Sequence, residues 1–160
     1  MTFTIRPATL ADVDELGRLH VRCWEQTYSR ILSPEALGRM TAEDMTEMWR
    51  RVVGRASADA QAVAELDGEI VGFASCGPSR EKDLSGGVEL FFIYLLTEHH
   101  GSGIGQALLE ALERPEVLWV AADNPRAQAF YRRNHFAADG ATQTEEFFGE
   151  LIDEIRMVRA

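Results

Sequence analysis

The chain has little that would tie it to a membrane, a nucleic acid or a metal. No apolar run approaches the ~18 residues that a membrane-spanning helix needs. Residues 1–7 carry neither the basic start nor the apolar stretch of a signal peptide, so the expectation is a cytoplasmic protein with no membrane partner. Basic residues are few: 16 Lys and Arg stand against 26 Asp and Glu, for a net charge of −10. Binding a phosphate backbone needs a basic face, so no nucleic acid is expected. The same imbalance attracts cations at long range. The two cysteines, Cys23 and Cys76, form no CxxC pair and no Cys/His ligand spacing, which predicts buried reduced thiols and no metal. Repeats, low-complexity tracts and linkers are also missing.

What is present is a chain of 160 residues, 46% hydrophobic and 26% charged, long enough for a proper core. Residues 1–160 read as a single domain. A strand over 3–6 stops at Pro7. Thr9 and Asp12 form a capping box, and Val13, Leu16, His20 and Cys23 follow at helical spacing to about Trp24. Ser33-Pro34 opens a second helical piece, and Thr41 with Asp44 caps a third that runs to Gly54. The runs 62–66 and 69–76 flank Asp67-Gly68 and predict a hairpin. After a polar loop over 78–87, residues 88–96 are nearly all apolar and read as a central strand covered on both faces. A helix over 103–113 and a strand over 117–122 follow. Asn124-Pro125 then caps a helix that carries Ala127, Phe130, Tyr131 and Asn134 on one face. Residues from 136, and about 146–158, supply closing strands. This order predicts an α/β (α+β) fold, a mixed central sheet flanked by helices on both faces.

Between the central strand and the next helix lies His100-Gly101-Ser102-Gly103-Ile104-Gly105. Glycines let backbone amides approach a ligand without Cβ obstruction, and a helix start offers unpaired N–H groups to a diphosphate. Tight packing of strand and helix uses such glycines as well. A P-loop would need a lysine after them, and none follows. A dinucleotide site wants GxGxxG early in the chain, whereas this GxGxG lies late.

Residues 88–95, followed by Thr97-Glu98-His99-His100-Gly101-Ser102-Gly103-Ile104-Gly105-Gln106-Ala107-Leu108-Leu109, resemble the acyl-CoA motif of the GNAT family of acetyltransferases. The family's core pattern is Arg/Gln-x-x-Gly-x-Gly/Ala ahead of an amphipathic helix. Asn124-x-x-Ala127-x-x-Phe130-Tyr131-x-x-Asn134-His135-Phe136 is similar to the second motif, Asn-x-x-Ala-x-x-Phe-Tyr-x-x-x-Gly-Phe. The sharp resemblance spans 88–136, and the earlier element order is compatible with it.

The resemblance implies a GNAT-like fold and acetyl-CoA as co-substrate. It also implies an amine acceptor, either a small amine such as a polyamine or a peptide amine. By it, the backbone of Ile93, Tyr94 and Leu95 pairs with the pantetheine arm like an added strand. The amides of Gly101, Ser102, Gly103, Ile104, Gly105 and Gln106 hold the diphosphate, with His100 beside them. Asn124 and Ala127 complete the cofactor-binding set, and Tyr131 protonates the departing thiolate. Two positions depart from the pattern. His100 stands where the family has Arg or Gln, and a protonated His100 would tighten CoA binding as pH falls. His135 replaces a glycine, and histidine tolerates left-handed geometry better than most residues.

A primary amine is mostly protonated at neutral pH, yet only its neutral form attacks, so a base is needed. Glu89 or a water fills that role. Some family members carry a catalytic glutamate at the matching place on the central strand. The plainer reading of Glu89 is a strand-end carboxylate reaching solvent or an arginine. The amide of Ile93 is the expected oxyanion donor. Trp24-x-x-Thr27-Tyr28 resembles the first helical region of members that acetylate small amines. That makes Trp24 and Tyr28, with Trp49, substrate-pocket candidates, although aromatics at this spacing equally suit a core. The alternative to an enzyme is a non-catalytic acyl-CoA-binding regulatory module. Whether the chain forms a homodimer stays open.

Overall fold

The computed structural model describes residues 2–54, 60–84 and 86–159. Its strands are β1 (Phe3–Pro7), β2 (Ala60–Leu66), β3 (Glu69–Pro78), β4 (Val88–Leu95), β5 (Val117–Ala121), β6 (Phe136–Phe147) and β7 (Glu150–Arg159). Its α-helices are α1 (Val13–Tyr28), α2 (Pro34–Gly38), α3 (Ala42–Gly54), α4 (Ile104–Glu110) and α5 (Pro125–Arg133). The strands form one sheet in the order β1-β2-β3-β4-β5-β7-β6, so β4 is central as its apolar run predicts. This is the expected mixed sheet with helices.

Local chemistry accounts for most boundaries. The Thr9 amide donates to the Asp12 carboxylate, but the box opens a short 3₁₀ turn before α1 rather than α1 itself. Arg6 holds the same carboxylate from β1, and its hydrogen bonds draw the Asp12 pKa down to about 2. Asp67 and Gly68 both take positive φ, 53° and 82°, as a two-residue hairpin turn requires. Asn124 Oδ1 accepts from Ala127 N at 3.2 Å and caps α5 with Pro125 in its first turn. His135 sits at φ 70°, the left-handed position expected of it. Helix α4 is shorter than its apolar pattern, ending at Glu110.

Helices α1 and α3 cover one face of the sheet. At their junction Trp49 Nε1 donates to His20 Nδ1 at 3.1 Å, and both side chains are buried. The His20 ring packs on Phe73 at 4.9 Å and Phe92 at 5.4 Å. Burial without a counter-charge pushes the His20 pKa down to about 4. Trp49 thus belongs to the core and not to a substrate pocket. Helix α4 packs against the sheet at Gly72, where an added Cβ would meet Tyr94 O at 2.9 Å and Leu108 Cδ1 at 3.2 Å. Cys23 and Cys76 are buried, as expected of core thiols. No helix among the described residues is long and apolar enough to cross a membrane.

Candidate active site

The site begins with an interruption in the sheet. Strands β4 and β5 run parallel but share only the pairs Glu89↔Val117 and Leu90↔Leu118. Beyond them β5 continues against β7, while β4 continues against β3 through Gly72↔Leu95. The edge of β4 over 91–95 therefore has no strand partner on the β5 side. Its peptide groups are available to an extended ligand. Ile93, Tyr94 and Leu95 all lie on this edge.

The β3–β4 register slips between Ser75↔Phe92 and Cys76↔Leu90, leaving Phe91 as an extra residue in β4. Such a bulge turns Leu90 and Phe92 to opposite faces, so Glu89, Phe92 and Tyr94 share one face. That face is the one covered by α1 and α3. Nothing in the sequence of 88–95 marks the bulge, because a run that is apolar at every position but Glu89 has no alternation to break.

At the end of β4 the chain turns through Gly101 and Gly103, at φ 79° and 90°, into α4. An added Cβ on either glycine would meet nothing within 4 Å, so the turn is open on the side away from the protein. Ser102 Oγ accepts from Ile104 N, and the next first-turn amides, of Gly105 and Gln106, have no intrahelical acceptor. The open glycine turn and the unpaired strand edge together fit a long ligand with an anionic end.

His100 behaves differently from its expected role. Its Nε2 lies 3.0 Å from the Leu95 carbonyl, which accepts only, so the ring donates there. Its Nδ1 is buried and has no hydrogen-bond partner among the described residues. Burial first, and the charge of Arg126 as well, lower its pKa, and the Leu95 bond opposes them without winning. At neutral pH His100 is thus a neutral pin on the end of β4. Arg126 of α5, whose charge acts on His100, was missed in the sequence because it lies more than twenty positions from the glycines.

On the far side of the splay, α5 brings up Tyr131. The side chain is buried, with ring contacts to Phe130 at 5.5 Å and Phe136 at 6.0 Å. No hydrogen bond to its hydroxyl is found among the described residues. Burial raises its pKa strongly, with the Tyr28 hydroxyl adding to the effect, so the phenol stays protonated. Tyr28 and Tyr94 hydroxyls lie 3.3 Å apart. Tyr131 in turn acts on Tyr94. All three tyrosines of the chain therefore converge on the splay. Ala127 is half-buried one turn before Tyr131.

Trp24 is placed otherwise than a pocket residue. It is buried against Tyr28 at 4.3 Å and Phe147 at 5.2 Å, in a second apolar cluster between α1, α2 and the β6–β7 hairpin. The hairpin tip is tied there by Ser33, whose amide and hydroxyl both donate to Glu150, and by Arg39, which donates to the Phe148 carbonyl. Trp24 thus fixes the wall on which Tyr28 stands. Glu89 is buried, and Arg80 of the β3–β4 loop binds it through Nη2 at 2.7 Å and through its backbone amide at 3.0 Å. The guanidinium also lies 4.8 Å from the Phe91 ring centroid. Among the described residues, no group of three or more His, Cys, Asp and Glu side chains is placed to hold a metal ion.

The chain is similar to known proteins in sequence and in fold. The profile described as Acetyltransferase (GNAT) family matches residues 14–136. The uncharacterized N-acetyltransferase YuaI of Bacillus subtilis is 32% identical over 66% of this chain, and the match spans only 60% of that relative's length. An uncharacterized N-acetyltransferase of Archaeoglobus fulgidus is 34% identical over 79% of this chain and 88% of its own. Among solved structures, the PaiA N-acetyltransferase of Thermoplasma acidophilum in complex with coenzyme A superposes with a TM-score of 0.81 over the whole of both chains. At 22% identity that likeness is one of fold.

Proposed function

The chain belongs to the GNAT family of acetyltransferases, and from that premise we propose that it moves an acetyl group from acetyl-CoA to a primary amine by direct attack. The observation that carries the reading is the splay itself, an unpaired β4 edge that leads to an open glycine turn and lies under three tyrosines. Acetyl-CoA fits it as substrate and supplies the acetyl group as an activated thioester. The backbone of Ile93, Tyr94 and Leu95 would align its arm. The amides from Gly101 to Gln106 would receive its diphosphate, and Asn124 and Ala127 at the start of α5 would border the arm opposite.

In this reading Tyr131 gives its proton to the departing sulfur. A phenol kept neutral by burial is matched to a donor's task, and its hydroxyl has no competing protein partner among the described residues. Glu89 lies on the acceptor face but reaches an amine only by giving up Arg80, so a water is the other route for the first proton. Tyr28 would meet the acceptor, which is a small amine or a peptide amine. Amine-dependent thiol release from acetyl-CoA tests the proposal. CoA binding without thiol release from any amine would leave the non-catalytic binding module instead.

A further inference from the structure

Glu89 and Glu154 both stand on the acceptor face of the splay, and the fold treats them differently. Glu89 is sealed beneath Arg80. Glu154 is not. It lies on β7 opposite Ala121, the last residue of β5. Two residues further along β7, Arg156 pairs with Trp119 and turns to Glu81 of the β3–β4 loop. Strand alternation puts Glu154 on that same face, beside the loop that carries Arg80. Its hydrogen bond comes from the neutral amide of Gln143, at 2.8 Å. No ion pair reaches it among the described residues.

The surroundings of Glu154 connect it to the chemistry. Its charge acts on the Tyr28 hydroxyl, which bonds to Tyr94, which lies in the field of Tyr131. A polar path thus crosses the splay from β7 to α5. The groups that face Glu154 are Gln143 and Glu145 from β6, Tyr28 from α1 and Arg80 from the loop. Burial raises its pKa, Gln143 opposes this, Glu145 adds to it and Arg80 opposes it. A carboxylate set that way takes up a proton more readily than one on the surface.

We propose that Glu154 receives the ammonium of the acceptor and removes its proton, so that the acceptor is a cationic amine. The inference rests on the acetyltransferase reading. One N–H bond of the ammonium breaks, its electron pair stays on nitrogen, and the proton passes to Glu154 and then to solvent. The nitrogen pair forms the bond to the acetyl carbonyl carbon. The carbon–sulfur bond breaks with its pair on sulfur, and sulfur takes the Tyr131 proton. A second proton leaving nitrogen restores Tyr131. One ammonium and one thioester give one amide, one thiol and one released proton.

The test compares wild type, Glu154→Gln and Glu89→Gln with acetyl-CoA and either 1,4-diaminobutane or aniline, which is already neutral at pH 7. Glu154→Gln keeps an oxygen for Gln143 to donate to. Its kcat/KM for the diamine should fall about 100-fold, with loss of the acid limb of the pH profile. CoA affinity and aniline turnover should stay within about twofold of wild type. Glu154→Asp, which retains the charge, covers the case of a misfolded amide variant and should keep an acid limb. Diamine turnover in Glu154→Gln within about twofold of wild type, with its acid limb intact, overturns the proposal. So does loss of that limb in Glu89→Gln alone. Failure of wild type to release thiol with any amine would instead remove the acetyltransferase reading, and this inference with it.

Discussion

Arg80 Nη2 lies 2.7 Å from Glu89 Oε2, joining a side chain that is 70% exposed to one that is 2% exposed. The arginine therefore serves the glutamate more than the reverse. It supplies a counter-charge to a carboxylate buried in the core. Removing the guanidinium leaves the Arg80 backbone amide still donating. Arg80→Gln should cost about 2 kcal/mol of stability, measured by urea unfolding, less than a fully buried pair would lose. An unchanged midpoint would show that Glu89 needs no counter-charge.

Tyr131→Phe keeps the ring contacts with Phe130 and Phe136 and removes only the hydroxyl. Loss of a proton donor should lower kcat about 100-fold while acetyl-CoA affinity is held. Steady-state kinetics beside calorimetry separate the two. A rate close to wild type would make Tyr131 a core aromatic.

For His100 the lowered pKa reverses the expectation drawn from sequence alone. A group neutral at pH 7 gains no charge between pH 8 and 7, so CoA affinity should be flat across that interval. His100→Gln should bind CoA as wild type does. Arg126→Gln should weaken binding about threefold, the scale of an exposed charge contact. Calorimetry at both pH values checks this, and a slope that vanishes in His100→Gln would restore the charged-histidine account.

His20 gives stability a pH dependence of definite sign. Its folded pKa of about 4 lies below the ordinary value of 6.5, so the unfolded chain takes up the proton first as pH falls. The contribution is complete above pH 6.5 and is lost progressively toward pH 4, a change of about 3 kcal/mol. His20→Gln retains an acceptor for Trp49 and should flatten that part of the unfolding profile. Parallel profiles for the two proteins would refute the assignment.

Much of this was legible in the sequence wherever the cause is local. Asp67-Gly68, Asn124-Pro125 and His135 each act through their own backbone, and each does what its residue type predicts. The glycine turn was legible for the same reason. The splay, the Phe91 bulge and the face shared by Glu89 and Tyr94 depend on register between strands far apart in the chain. Arg80, Arg126 and Glu154 carry no pattern of their own and gain meaning only from what the fold sets beside them. Trp24 and Trp49 show the converse, aromatics at helical spacing that pack rather than bind.

The most direct measurement follows the acetyl group itself. Isotopically labelled acetyl-CoA is incubated with the protein and 1,4-diaminobutane, and the amine is analysed by mass spectrometry alongside free thiol. The account predicts labelled acetyl on nitrogen in equal amount to the thiol released, with both suppressed in Tyr131→Phe. Bound CoA with no labelled amine, or thiol release without transfer to nitrogen, would contradict it.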